Sequence, residues 1–273
     1  MPPELAASHG DTPEAGAWGD DWSQVRRLHR KALESSFQDP ETDKKLVEAV
    51  LKRARQVIAH PTRPKKVEIL PFEEFPQDEF ELEQSFENDP TLNDSKEMVV
   101  EVESDKPTYC VAMLDSSSSM SGDKHLLASI AVAVMLLELP ETSSLVTFAS
   151  DANVIKGVDS NQTVEETVLK FLKVRPRGFT NIGRGLETGL RQKYRKRVGL
   201  LASDGRTTEG EDPFEIAKKF DSLIVLHLHG SGSDIESSRQ IAQKGHGTCV
   251  EVERYEDLPR KMYDALRLLA RMS

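Results

Sequence analysis

Three short stretches of this 273-residue sequence gather small oxygen-bearing side chains where an apolar run stops or a helix is about to begin. Asp115-Ser116-Ser117-Ser118-Ser119-Met120 follows the run TYCVAML. Gly178-Phe179-Thr180-Asn181 precedes an amphipathic stretch, and Ser203-Asp204-Gly205 follows RVGLLA. A few carboxylate and hydroxyl oxygens suit a hard divalent cation. Mg²⁺ in particular takes one or two carboxylates, other oxygen donors and retained water. In Asp115-x-Ser117-x-Ser119 the alternate hydroxyls can face one point if the chain turns at a strand end. A helix starting just beyond would set its positive end near the carboxylate and temper its charge.

Other groupings carry less. Ser121-Gly122-Asp123-Lys124 matches the Ser-x-x-Lys of some acyl enzymes, but the rest of that signature is missing. A serine at a helix start reads as a cap. His227 and His229 stand two apart at the end of SLIVLHL and could bind a transition metal. No cysteine or third histidine lies near them in sequence, so they read as satisfied histidines at a sheet end, with His229 able to line the rim. Cys110 and Cys249 fall in separate predicted strands, one central and one peripheral. They are too far apart to bridge and read as buried small hydrophobes. GFTNIGRG (178–185) has the glycines of a phosphate loop, but a helix precedes it where a dinucleotide site has its first strand. Arg175, Arg177 and Arg184 beside it form either a positive rim, able to attract an anion, or a solvated face.

The elements that must position these residues can be read from periodicity. From 99 onward, apolar runs of strand length alternate with helical patterns. The strand-like runs are TYCVAMLD, SLVTFAS, ANVIKG, RVGLLAS, SLIVLHLHG and GTCVEV. The helical ones are HLLASIAVAVMLLELP, VEETVLKFLKV, IGRGLETGLRQKYRK, PFEIAKKF, DIESSRQIAQKG and YEDLPRKMYDALRLLARM. That alternation predicts βαβ units in an α/β fold: a doubly wound, mostly parallel sheet with helices on both faces. Strands covered on both faces read as apolar throughout. In such a sheet, ligands bind at the carboxyl ends of the strands, near the point where strand order reverses. All three oxygen-rich loops belong at that edge.

These residues resemble the metal-ion-dependent adhesion site of von Willebrand factor A domains. That signature is Asp-x-Ser-x-Ser, a Thr from a second loop and an Asp from a third. It matches here as Asp115, Ser117, Ser119, Thr180 and Asp204, in order and at strand ends, and the resemblance covers about 109–271. It implies that Ser117, Ser119 and Thr180 bind a divalent ion directly and that Asp115 and Asp204 hold it partly through water. The implied ion is Mg²⁺, with Mn²⁺ and Ca²⁺ as alternatives. A partner's Asp or Glu would fill an open position. Such domains often have glycine where Ser118 stands, so a positive φ at Ser118 would strain the turn. Further, ELEQSFEN (81–88), SDGRTTEGEDPFEIA and DLPRKMYDALRLL resemble bacterial A-domain proteins related to magnesium-chelatase D subunits and carbon-monoxide-dehydrogenase maturation proteins. That likeness implies an adaptor working beside a MoxR-type AAA+ ATPase in cofactor insertion or complex assembly. The sequence contains no Walker P-loop, so the ATPase would be another polypeptide.

Composition sets the remaining bounds. With 37% hydrophobic and 30% charged residues, the chain is of ordinary globular type. No apolar run reaches the roughly 18 residues of a membrane helix. The first residues lack the basic start and apolar stretch of an export signal. With two cysteines, a reducing cytoplasm is the expected location. Residues 1–108 carry 24 acidic and 14 basic side chains, whereas 109–273 carry 22 of each. The excess lies in 68–105, where 14 acidic residues face only Lys96, so nucleic acid is not an expected ligand. The segment reads as a solvated acidic linker, as a docking segment for a basic surface, or as an internal ligand for the metal. The expected organisation is a disordered tail (1–20), a helical segment (21–64) leaning on the rest, an acidic extended arm (65–106) and the α/β domain (107–273). KKVEIL (65–70) reads as a short strand and VVEVE (99–103) as a strand edge; Phe72, Phe75, Phe80 and Phe86 are expected to pin the arm, which has a short helix near 81–88. Thr42 or Asp43 is the expected cap of the second helix. Nothing near the metal loops looks like an activated nucleophile or base, so the chain is read as a binding module and not an enzyme. A metal-dependent hydrolase, and a domain whose metal only stabilises its loops, are the competing readings.

Overall fold

The computed structural model describes residues 19–58, 65–72, 79–80, 82–91, 98–105, 109–158, 160–192 and 196–272. The tail assigned to 1–20 lies outside them up to residue 18. Gly19 and Asp20 already belong to helix α1 (Gly19–Glu34). A tight turn with left-handed backbone at Ser36 and Phe37 (φ 52° and 57°) leads to α2 (Pro40–Val57). The cap of α2 is neither Thr42 nor Asp43. It is Asp39, which accepts the Glu41 N–H, because Pro40 opens the helix at the position where its missing N–H costs nothing. Asp43 is instead buried and faces Lys173 at 3.5 Å.

The arm is not a single extended segment. β1 (Lys65–Pro71) pairs antiparallel with β3 (Val99–Asp105), and β3 pairs with the two-residue β2 (Glu79–Phe80). Helix α3 (Leu82–Asn88) is anchored by Ser85, whose Oγ donates to the Val99 carbonyl and accepts the Val99 N–H. Alternating apolar and acidic residues, as in VVEVE, suit a strand with one covered face. Of the phenylalanines expected to pin the arm, Phe72 is half-buried but Phe86 is 48% exposed and pins nothing. Phe75 and the Phe80 side chain lie outside the described residues.

The main sheet has the order β6-β5-β4-β7-β8-β9. Its strands are β4 (Cys110–Asp115), β5 (Ser143–Phe148), β6 (Ala152–Lys156), β7 (Val198–Ser203), β8 (Ser222–Leu228) and β9 (Cys249–Val252). All neighbours are parallel except β5 and β6. That pair is joined by a turn in which the Ala149 N–H bonds to the Asp151 carbonyl, too short for a parallel crossover. The first strand, β4, sits in the middle, and strand order reverses between β4 and β7. Asp115 ends one of these strands and Ser203 the other.

Alternate side chains divide the core. Cys110, Ala112, Leu114, Leu200, Ile224 and Leu226 face α4 (Asp123–Glu138), α5 (Val164–Leu172) and α9 (Leu258–Met272). Val111, Met113, Val146, Phe148, Leu201 and Val225 face α6 (Ile182–Leu190), α7 (Pro213–Ala217) and α8 (Ile235–Lys244). Every residue of α4 from His125 to Leu136 is buried. The sheet covers one side of that helix, α5 and α9 its flanks, and α2 its outer side, through Leu46, Val47, Val50, Leu51 and Ala54. A helix apolar all round needs such a cover, and the helical segment supplies it. The cysteines are free, with Cys110 on the central strand and Cys249 on the edge strand.

Candidate metal centre

The Asp115 loop is built around one buried carboxylate. Asp115 Oδ1 accepts the Ser117 N–H at 2.8 Å, and Oδ2 accepts the Ser203 hydroxyl at 3.0 Å. Ser203 Oγ in turn accepts the Gly205 N–H at 3.2 Å. The side chain is thus clamped between the loops after β4 and β7. Ser117 Oγ and Ser119 Oγ lie 3.1 Å apart, so the hydroxyls at alternate positions do face one point. The Ser116 hydroxyl turns away and donates to the Phe148 carbonyl. Ser118 is not in a positive-φ conformation; it opens a 3₁₀ turn (Ser118–Met120), so serine needs no strain there.

Backbone hydrogen bonds lash the second loop to the first. The Arg177 N–H donates to the Ser116 carbonyl at 3.0 Å, and the Ser118 N–H and hydroxyl both donate to the Gly178 carbonyl. Thr180, two residues on, is buried. Its N–H donates to Thr208 Oγ1 and its carbonyl accepts the Thr208 N–H at 2.9 Å, which ties the second loop to the third. Asn181 caps α6 through the Arg184 N–H. In the third loop Asp204 Oδ1 accepts the Arg206 N–H, and the Asp204 carbonyl accepts the Asp234 N–H. Gly205 must be glycine: its φ is +78°, and a Cβ would sit 2.2 Å from the Asp234 carbonyl oxygen.

The electrostatics ask for a cation. Burial pushes the Asp115 carboxyl up to about 6, against the pull of its Ser117 and Ser203 hydrogen bonds, and the charge of Asp204 adds to the rise. A buried carboxylate that repels a second carboxylate is relieved by a nearby positive ion. Two carboxylates and three hydroxyls are the donor set of a hard cation. The donor types of Asp115, Ser117, Ser119, Thr180 and Asp204, with the buried charge of Asp115, fit a hard divalent ion.

Sequence reasoning did not assign Ser203, Thr208 or Tyr255. Ser203 was visible next to Asp204, but only the fold aims its hydroxyl at Asp115. Thr208 acts on backbone atoms of a loop distant in sequence. Tyr255, from the turn before α9, feels both site carboxylates: its hydroxyl is pushed up to about 12 by burial first, then by Asp204 and Asp115. Lys124 lies 4.4 Å over its ring. Of the expected arginine rim, Arg184 pairs with Glu187 and Arg175 reaches Ser36 Oγ at 3.4 Å. Arg177 is exposed, and its guanidinium has no partner among the described residues. His227 is buried with Nδ1 on Ser238 Oγ at 2.8 Å, and His229 Nε2 faces Glu251 at 3.0 Å. His229 is thus satisfied as expected, while His227 Nε2 has no partner among the described residues.

No protein-family model matches the sequence, and no curated protein matches it. Solved structures do. Proximal thread matrix protein 1 from the mussel byssus superposes with a TM-score of 0.51 at 20% identity, over 59% of this chain and 45% of that one. A second structure of it, described as having a zinc-occupied MIDAS motif, gives 0.50 at 18% identity, over 60% and 48%. A von Willebrand factor type A structure from Catenulispora acidiphila gives 0.48 at 15% identity, over 63% and 44%. The fold, a six-stranded and mostly parallel sheet with helices on both faces, is shared with the mussel protein and is of the A-domain type expected from the sequence. This chain spans about half the length of each of these three structures. No described helix of the A-type domain, or of the segments before it, is long and apolar enough to cross a membrane.

Proposed function

We propose that the A-type domain is a metal-dependent protein-interaction module. Asp115, Ser117, Ser119, Thr180 and Asp204 hold one divalent ion, Mg²⁺ in preference to Mn²⁺ or Ca²⁺. A bound ion supplies a Lewis-acidic position that a carboxylate of a partner protein can enter. The chain's own residues do the rest. The Ser203 hydroxyl and Ser117 N–H hold Asp115 in place, and the Thr208 backbone and hydroxyl fix Thr180. The observation that carries this reading is the buried Asp115 carboxylate, clamped between two loops and repelled by Asp204, beside a pair of convergent hydroxyls. The mussel protein's zinc-occupied motif is a further support by analogy.

The module acts by binding and not by turnover. Both site carboxylates accept from loop backbone or hydroxyl groups, and among the described residues no histidine is hydrogen-bonded to a serine, threonine or cysteine of the three loops. The narrower reading follows from the likeness of 81–88, SDGRTTEGEDPFEIA and DLPRKMYDALRLL to chelatase-type and maturation proteins. The partner is then a MoxR-type AAA+ ATPase, a separate cytoplasmic chain, in cofactor insertion or complex assembly. The test is capture of that ATPase in Mg²⁺ and in EDTA, by wild type and Asp204→Ala. Capture lost in EDTA and in the variant supports the metal bridge. Capture indifferent to both would contradict it.

A further inference from the structure

Resting on that reading, we infer that the metal edge selects a separate protein through a surface segment in which the bridging carboxylate is flanked by further acidic residues and one large apolar residue. Several carboxylates of the edge already have structural roles. Asp212 caps α7 through the Phe214 N–H, Asp234 caps α8 through the Ser237 N–H, and Asp123 is paired with Arg26. Two arginines of the metal loops have no such role. Arg177 comes from the loop that bonds to Ser116, and Arg206 follows Asp204. Both are exposed, and neither guanidinium has a partner among the described residues. They come from the second and third metal loops, each tied by its backbone N–H to the Asp115 loop or to Asp204 itself. Arginine in that setting recognises carboxylates bidentately.

Phe179 stands between them in the chain and is 65% exposed. Its loop is not loose. The Phe179 N–H bonds to Ser150 Oγ, the Gly178 carbonyl accepts from Ser118, and the Thr180 N–H is held by Thr208. A large aromatic side chain on a fixed loop, in water and beside free cations, is the anchor expected of a docking surface, because little ordering entropy remains to be lost on binding. The chain's own acidic segment is the other source of such chemistry. Its described strands, however, pair with one another in a separate sheet.

The experiment uses the full chain and three labelled dodecapeptides: a lone Glu in a Gly/Ser background, the same Glu with two Asp on either side, and the latter with a Leu beside the Glu. Affinities are measured in Mg²⁺ and in EDTA at low salt. With Mg²⁺ the acid-flanked peptide is expected to bind about tenfold tighter than the lone-Glu peptide. Arg177→Ala with Arg206→Ala removes that advantage. Leu adds about fivefold, and Phe179→Ala removes it. Calorimetry on the same variants should show Mg²⁺ binding retained or tightened, as expected on removing nearby positive charge, so that lost peptide preference is not loss of the metal. Mg²⁺-dependent capture with no preference among the peptides overturns this surface and leaves the metal bridge standing. A preference retained in EDTA supports the surface and contradicts the metal bridge. No binding of any peptide to Mg²⁺-loaded protein overturns both. Mg²⁺-driven self-association that free acidic peptide disperses would make the occupant the 68–105 segment of a second copy, and so overturn the assignment to a separate protein.

Discussion

Asp115 is held where its charge is unwelcome until a cation joins it. Its folded-state value, near 6, lies above the ordinary carboxylate value. The stability it contributes is therefore present at low pH and lost as pH rises through about 6. Asp115→Asn keeps the shape and removes the charge. At pH 8 in EDTA the variant should melt higher than wild type, by about 1–3 kcal/mol of added stability. Saturating Mg²⁺ should reverse the order, since a ligand at a hundredfold excess over its Kd stabilises the wild type by about 2.7 kcal/mol and has no site in the variant. Melts that keep the same order with and without Mg²⁺ would count against the assignment. Gly205→Ala should cost at least about 1–3 kcal/mol, because a methyl group there meets the Asp234 carbonyl and φ is positive. Chemical denaturation reads this, and a neutral substitution would show that the third loop is soft. The five proposed donors could be picked out because their spacing is local within each loop. Ser203 and Thr208 were not, because what they hold lies 88 and 28 residues away.

The helical hairpin α1–α2 earns its place as an element by covering α4. Leu46→Ala should cost about 2–5 kcal/mol, since Leu46 is fully buried in that interface. Arg26→Ala, at a half-exposed ion pair with Asp123, should cost under about 1 kcal/mol. Two buried histidines lie at this end of the fold, His29 on α1 of the hairpin itself and His125 on α4. Burial, then the neighbouring His29, holds His125 down at about 4; its ring stacks on Phe171, and Nε2 meets the Phe171 carbonyl at 3.2 Å. His29 is lowered by burial as well. Both are neutral in the fold and charge more readily when unfolded. Their contribution is complete above about 6.5 and is lost as pH falls toward 4. Replacing both with Leu should flatten the acid side of the stability profile, and an unchanged profile would refute the assignment. The βα order could be read because long apolar runs ending in Asp or Gly have few alternatives. In the small sheet KKVEIL and VVEVE do read as strands, whereas the two-residue β2 leaves no periodicity to detect. The cap of α2 was misplaced by a few residues because Asp39, Thr42 and Asp43 all have capping side chains, and only Pro40 decides among them.

Across the whole molecule, charge and core are divided differently. The A-type domain is balanced, while residues 68–105 carry 14 acids and one lysine. Long-range attraction at the metal edge therefore comes from where the free arginines stand and not from net charge. The two sheets differ in what holds them. β4, β7 and β8 are buried on both faces, whereas β1–β3 form a three-stranded sheet with one short helix. Amide exchange should be slowest in β4, β7, β8 and α4 and markedly faster through 65–105. Equal protection would mean that the arm is part of the main core. The central claim is that three loops of the A-type domain jointly hold one divalent ion. A calorimetric Mg²⁺ titration of wild type, Ser117→Ala, Thr180→Ala and Asp204→Ala tests it most directly. One site per chain is predicted for wild type, weakened at least about tenfold by each substitution; a titration unchanged by Thr180→Ala and Asp204→Ala would contradict it.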